Sequence, residues 1–317
     1  MTILVTGAAG YVGNNTVRRL LEQGKPVRAM VRDMAKARQR LSDIAGRLEI
    51  VQGDVTDREG LRPLMRDVNT VVHTVAIPME KGGATYEDIN YQGTINVVDA
   101  AEAMGVRRFI NISQNGASSA SPYRFLKSKG RAQEYVASSR LQWTAMRPSA
   151  IFGPQDEFFN SIARLVKLTP VIFPLIGGGT AQFQPVSIDD VVEAVARSVE
   201  DDKTVGKEFG LGGPEVLSLG EIERRILQAM GERRTLVSVG TGLLRVPVFI
   251  MEKTLPGSPV NTSLLDLLAV PNTVPENALV DYFGMTPKPF SGDNIAYLRQ
   301  NSAASAFKKI FKGATIN

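Results

Sequence analysis

The first thirteen residues constrain this chain more than any other stretch. Ile3-Leu4-Val5 is a short apolar run of the kind that forms a strand buried on both faces. Gly7, Gly10 and Gly13 follow at even spacing, and Val12, Thr16, Val17, Leu20 and Leu21 then recur as one face of a helix that stops at Gly24. Strand, glycine turn and helix N-terminus together present bare backbone N–H groups, an arrangement suited to a pyrophosphate. Each glycine has its own reason. Gly7 permits the tight turn, Gly10 removes a Cβ that would hold phosphates off, and Gly13 lets the helix lie close on the strand.

The strand-then-helix pattern continues. Apolar runs at 26–31, 48–51, 70–76, 107–113 and 142–146 alternate with helical stretches, the most periodic at 86–104 and 124–139. Such alternation predicts an α/β fold with a doubly wound parallel Rossmann sheet and a ligand crevice at the carboxyl ends of its strands. Composition shifts after Arg147, beyond which 13 of the 17 prolines lie. Residues 1–150 are therefore expected to form the nucleotide-binding domain, with a strand and helix over 182–202 returning to it. The segments 151–181 and 203–300 are expected to form a smaller, proline-rich C-terminal lobe. The absence of cysteine excludes disulfide and thiolate chemistry, and a single histidine, His73, leaves too little for a His-based metal site or a Ser-His-Asp triad. Met1 leads straight into the first strand, so no signal peptide is expected, and no apolar run reaches the length of a membrane span.

The glycine spacing, in its strand–helix setting, resembles the extended and atypical branches of the short-chain dehydrogenase/reductase superfamily. The end of the second strand then selects the cofactor: an acid there favours the ribose 2′-OH of NAD, an arginine the 2′-phosphate of NADP. Arg32 stands at that place, 19 residues beyond Gly13, with Asp33 one position later. Arg32 reads either as the phosphate ligand or as a solvated loop residue; NADP(H) is the cofactor the first reading implies. The resemblance also places Asp54 at the adenine, and Tyr11, Val12, Val55, Ala76 and Pro148 beside the nucleotide.

Members of the superfamily use a tyrosine and a lysine four apart on one helix face, the ammonium lowering the phenol pKa and holding the nicotinamide ribose. Tyr123 and Lys127 have that spacing, and so do Phe125 and Lys129 two residues on. Two residues rotate a helix by about 200°, so the pairs face opposite sides. In atypical members the lysine precedes the arginine of an Arg-Pro-[Ser/Gly] segment by 18 residues; Lys129 lies 18 before Arg147 and Lys127 lies 20 before it. That favours Lys129, with Phe125 where the proton donor would stand. Ser113 is either the helper hydroxyl or a turn cap, and Asn90 is expected to satisfy backbone groups.

Pro122-Tyr123-Arg124-Phe125-Leu126-Lys127-Ser128-Lys129 and Leu141-Gln142-Trp143-Thr144-Ala145-Met146-Arg147-Pro148-Ser149-Ala150-Ile151-Phe152-Gly153-Pro154 are most similar to one atypical subgroup. It is that of the NADPH-binding accessory subunit of respiratory complex I and its bacterial relatives. Asp156–Asn160, Gln184-Pro185-Val186, Asp189-Asp190-Val191, Gly212-Gly213-Pro214, Leu255-Pro256 and Leu264–Leu268 continue the match. Gln133 departs from it, since relatives carry glutamate four residues after the lysine. The resemblance implies a held NADPH in a non-catalytic structural or assembly subunit associated with complex I. The alternatives are an NADP-dependent reductase, epimerase or dehydratase using Tyr123 and Lys127, or a redox-sensing regulator. Neither nucleic acid nor metal is expected as a partner. In the tail 301–317, Phe307, Ile310 and Phe311 share one helical face, with Lys308, Lys309 and Lys312 on others. With the net charge of +5, this basic amphipath suggests weak contact with an anionic membrane surface and a location on the cytoplasmic side, peripheral to the membrane.

Overall fold

In the computed structural model, which describes residues 2–254, 265, 268 and 270–302, the expected alternation is present. Its strands and helices run β1 (Thr2–Thr6), α1 (Tyr11–Glu22), β2 (Val27–Val31), α2 (Met34–Arg40), β3 (Glu49–Gln52), α3 (Arg58–Leu64) and β4 (Val68–His73). A π-helical turn (Glu87–Gln92) then leads into α4 (Gly93–Ala103), β5 (Arg108–Ile112), α5 (Arg124–Ser138) and β6 (Gln142–Pro148). With β11 (Lys207–Leu211), these strands make one seven-stranded sheet in the order β11-β6-β5-β4-β1-β2-β3, every pairing parallel. The fold is the doubly wound Rossmann arrangement.

Leu4, Val71 and Phe109 from the central strands are buried with Leu61, Val97 and Val136 from the helices α3, α4 and α5 and with Met65 just after α3. Each such side chain contributes about 1.5–3 kcal/mol on burial, which explains why the central strands read as continuous apolar runs. Another helix, α7 (Ile188–Ser198), packs on α1, where Arg19 and Glu193 pair at 2.5 Å. Within β5, Arg108 is buried and donates to the Gln142 carbonyl (2.6 Å), the Thr144 hydroxyl (2.6 Å) and the Ser198 carbonyl (2.9 Å). That side chain ties β5, β6 and the end of α7 together.

The chain divides into two units, Met1–Pro148 with Ile188–Leu211, and Ser149–Ser187 with the chain from Gly212 on. The second unit has its own core, in which Phe152, Phe159 and Phe290 meet edge-on and tilted around Ile222, Ile226 and Leu298. Its elements include β7 (Ile151–Phe152), α6 (Phe158–Leu168), β8 (Ile172–Ile176), β12 (Leu217–Ser218), α8 (Leu219–Met230), β13 (Thr235–Val239) and α9 (Thr241–Thr254). Asp156 is buried at the start of α6, accepting from Phe159 N and the Tyr297 hydroxyl, both at 2.7 Å.

Three expectations change. The fourth strand ends at His73 rather than Ala76, because Thr74–Ile77 leave the sheet. The expected strand over 182–188 is two short pieces, β9 (Gln182–Phe183) and β10 (Val186–Ser187), broken at Pro185, which has no N–H to donate. Neither joins the large sheet: β9 pairs with β12 and β10 with β7. The strand that closes the sheet is β11, from the stretch assigned to the C-terminal lobe, so Ile188–Leu211 rather than 182–202 accompanies it. Tail residues from 303 onward, Leu255-Pro256 and most of 264–268 lie outside the described residues.

Candidate nucleotide-binding site

The glycine turn closes by a hydrogen bond from Gly10 N to the Gly7 carbonyl at 2.8 Å. Gly7 has φ +69°, a left-handed value that side chains resist. Gly13 is fixed by space: a Cβ there would stand 2.2 Å from the Gly7 oxygen and 2.8 Å from Thr74 Oγ1. Thr74 in turn donates to the Thr6 carbonyl at 2.7 Å, which locks the segment after β4 onto the turn. Helix α1 begins at Tyr11 with Gly10 as its N-cap, no side chain capping it and no acid in its first turn. Tyr11 and Val12 therefore lead a helix whose dipole favours an anion at its start.

Ala8 N donates to the Met30 carbonyl at 3.1 Å, which brings the turn against the end of β2. Arg32 follows β2 directly, exposed and in no ion pair among the described residues. Asp33 turns to α2, where its carboxylate accepts from Lys36 N at 3.0 Å as the helix cap. Arg28, on the same strand, is spent on Glu49 (2.6 Å) and the carbonyls of Leu64 (2.9 Å) and Arg66 (2.7 Å). The Oδ1 atom of Asp54 accepts from Thr56 N (2.9 Å) and Oγ1 (2.8 Å), so Oδ2 is the atom left to face a ligand. Val55 is buried against Gly93, its side chain packed in the core, and Asn96 holds its carbonyl at 2.9 Å. Arg40, which the sequence reading missed, reaches back from the end of α2 to the Ala9 carbonyl at 2.8 Å. Nothing in its local pattern signals that contact.

At the other end of the sheet opening, the two lysines of α5 differ in burial. Tyr123 lies before the helix, in extended backbone, and Lys127 is exposed. Lys129 is 3% exposed and donates from Nζ to the Ile112 carbonyl at 2.7 Å, at the end of β5. Burial pushes its ammonium down to about 8. Phe125, one turn earlier, lies edge-on to Tyr86 at 5.7 Å. Ser113 is buried, and its hydroxyl has no partner among the described residues, an orphaned polar group that a ligand could satisfy. Asn90 binds both Ile77 N (2.8 Å) and the Ile77 carbonyl (3.2 Å), so it satisfies the backbone of the segment that carries the exposed Ala76. Pro148 closes β6, its carbonyl held by Asn115 N at 3.0 Å. His73 is fully buried between the hydroxyls of Thr6 (2.8 Å) and Thr94 (3.1 Å); burial and the charge of Lys129 hold it neutral, down to about 3. No group of histidines and acids that could hold a metal ion occurs among the described residues.

A cradle that a Cβ would fill, an uncapped helix start, an arginine beyond β2 and an orphaned hydroxyl beside a buried lysine fit a dinucleotide. Comparison with known proteins agrees. Residues 7–164 match a family model described as NAD(P)H-binding. An Arabidopsis thaliana protein, "NADH dehydrogenase [ubiquinone] 1 alpha subcomplex subunit 9, mitochondrial", is 32% identical over 69% of this chain and 55% of its own length. The 40 kDa subunit of the mitochondrial NADH-ubiquinone oxidoreductase of Neurospora crassa is 25% identical over 80% of this chain and 67% of its own. The chain thus spans just over half the length of the first relative. Among solved structures, DesIV, a dTDP-glucose 4,6-dehydratase of Streptomyces venezuelae, superposes with a TM-score of 0.74 at 20% identity, covering 95% of this chain and 98% of that one. It shows that the fold is shared.

Proposed function

We propose, from the premise that this chain belongs to the NAD(P)H-binding family as an atypical short-chain dehydrogenase/reductase, that it holds NADP(H) without turning it over, as a structural or assembly subunit of an NADH:quinone oxidoreductase. The observation that carries this reading is the register of α5. The lysine that α5 buries at the end of β5 is Lys129, and the residue one turn before it is Phe125, which has no proton to give. Lys129 and the Ser113 hydroxyl would hold the nicotinamide ribose, and Arg32 the 2′-phosphate. When bound, the nucleotide supplies a hydride-carrying ring; this chain supplies binding and orientation, with no general acid at the expected place.

The names of the Arabidopsis and Neurospora relatives support the choice of assembly. No described helix is long and apolar enough to cross a membrane. The basic tail beyond residue 302 would aid attachment to such a complex at the membrane surface. The test is purification from gently solubilised membranes. The protein should carry NADPH, co-purify with oxidoreductase subunits and leave the nucleotide unoxidised across a panel of carbonyl and nucleotide-sugar substrates. A turnover that Tyr123→Phe abolishes would instead establish an enzyme.

A further inference from the structure

Among the described residues, the buried ammonium of Lys129 has no acid to answer it. Its one hydrogen bond, at 2.7 Å, goes to the neutral carbonyl of Ile112. One turn along α5, where an acid would reach it most directly, stands Gln133. The Gln133 Oε1 accepts from Asn111 Nδ2 at 2.7 Å, while Gln133 Nε2, Asn111 Oδ1 and Ser113 Oγ are all buried without partners. From β4 the group acting with Lys129 is His73, held neutral; the π turn and α4 contribute the neutral Asn90 and Thr94. The acids Glu87 and Glu134 near this helix are exposed and engaged by Arg131 and Ser119. From β6, Arg147 is paired with Glu208. Burial is what lowers the affinity of Lys129 for its proton. His73 joins this lysine to the glycine turn, through Thr6 and then Thr74, which rests against Gly13.

We propose that this uncompensated ammonium makes the site select the reduced, neutral nicotinamide over the oxidised, cationic one. The inference rests on the reading of the site as one for NADP(H). The two forms carry the same phosphates, ribose and adenine, so those contacts cancel in the comparison. What differs is one positive charge on the ring. A buried cation with no counter-charge repels it, and the low effective dielectric of a buried site keeps that repulsion large. The chain's own residues thus set a bias: NADPH binds about tenfold or more tightly than NADP+, which raises the midpoint potential of the bound couple by about 30 mV per tenfold. A subunit that retained its cofactor in this way would hold it reduced without any catalytic group.

Dissociation constants for NADPH, by its fluorescence, and for NADP+, by calorimetry, test this at pH 7 on the full chain. Wild type should show a ratio of about ten or more in favour of NADPH. Lys129→Met should bring the ratio towards one, and Gln133→Glu, which keeps the lysine but adds a neighbouring acid, should lower it too. Lys127→Met should leave it unchanged. Raising the pH past 9 should erode the wild-type ratio, as Lys129 gives up its proton, and leave that of Lys129→Met flat. A wild-type ratio near one, or a ratio that neither Gln133→Glu nor high pH alters, overturns the inference while the nucleotide site stands. Failure of both forms to bind wild type overturns the nucleotide reading itself. Should Lys129→Met not fold, Gln133→Glu and the pH series still decide.

Discussion

Arg28 and Arg32 leave the same strand four residues apart, yet they do different work. Arg28 is bound into Glu49 and the carbonyls of Leu64 and Arg66, whereas Arg32 stands exposed past the strand end. Arg32→Asp should therefore weaken NADPH by about tenfold or more, from the ~1.5–3 kcal/mol of a charge-assisted contact, and leave NADH little changed. Calorimetry with both nucleotides checks it; equal wild-type affinities would remove Arg32 from the site. At this scale the sequence was readable where a position is counted along one strand or one helix. Arg32 past β2 and the three glycines are local facts. The contact of Arg40 with Ala9, the pairing of Gln133 with Asn111 and the inward turn of Val55 depend on segments distant in sequence, and no local pattern announces them.

Helix α8 carries the clearest conflict between an element's pattern and its packing. Leu219, Ile222, Ile226, Leu227 and Met230 form its buried stripe, and Glu223 lies in the same stripe, 2% exposed, with Oε2 unpartnered. Burial pushes this carboxyl up to about 8 from an ordinary 4.5. The folded state thus keeps a proton that the unfolded chain releases above its ordinary pKa. The stability tied to that proton is whole below about pH 4.5 and drains away as the pH rises through 8. Glu223→Leu should flatten this dependence and raise stability at pH 8.5 by roughly 1–3 kcal/mol, the cost of a buried unsatisfied group. Thermal melts at pH 5.5 and 8.5 read it out; an equal shift at both pH values would point to packing alone. Element type was legible wherever periodicity ran long, as in α5. Short strands such as β9 and β10 have too few residues for any period to show.

Across the whole molecule, six of the seven strands of the large sheet could be read in chain order, since β1 to β5 are each followed by a helix and β6 closes the series. The seventh could not. Lys207-Glu208-Phe209-Gly210-Leu211 is an edge strand with Phe209 and Leu211 buried, so it lacks the apolar run of its neighbours, and its partner β6 ended at Pro148. The proline count located a change of architecture after Arg147 but could not say which later segment comes home. That late return governs how the protein must be made. As the chain leaves the ribosome, β6 emerges with one side unpaired, and residues 149–206 must be synthesised before β11 can cover it. Arg108 meanwhile waits for the Ser198 carbonyl, its charge buried but part of its anchorage not yet translated. A fragment ending at residue 150 should therefore aggregate on expression even though it holds the glycine turn, Arg32 and Lys129. Adding residues 188–211 to it through a short flexible linker should yield soluble, NADPH-binding protein, as sedimentation and fluorescence would show. Every residue proposed to hold the nucleotide lies at or before Pro148, but the sheet beneath is finished only after a detour, and for that interval the nascent chain depends on whatever shields an open strand edge.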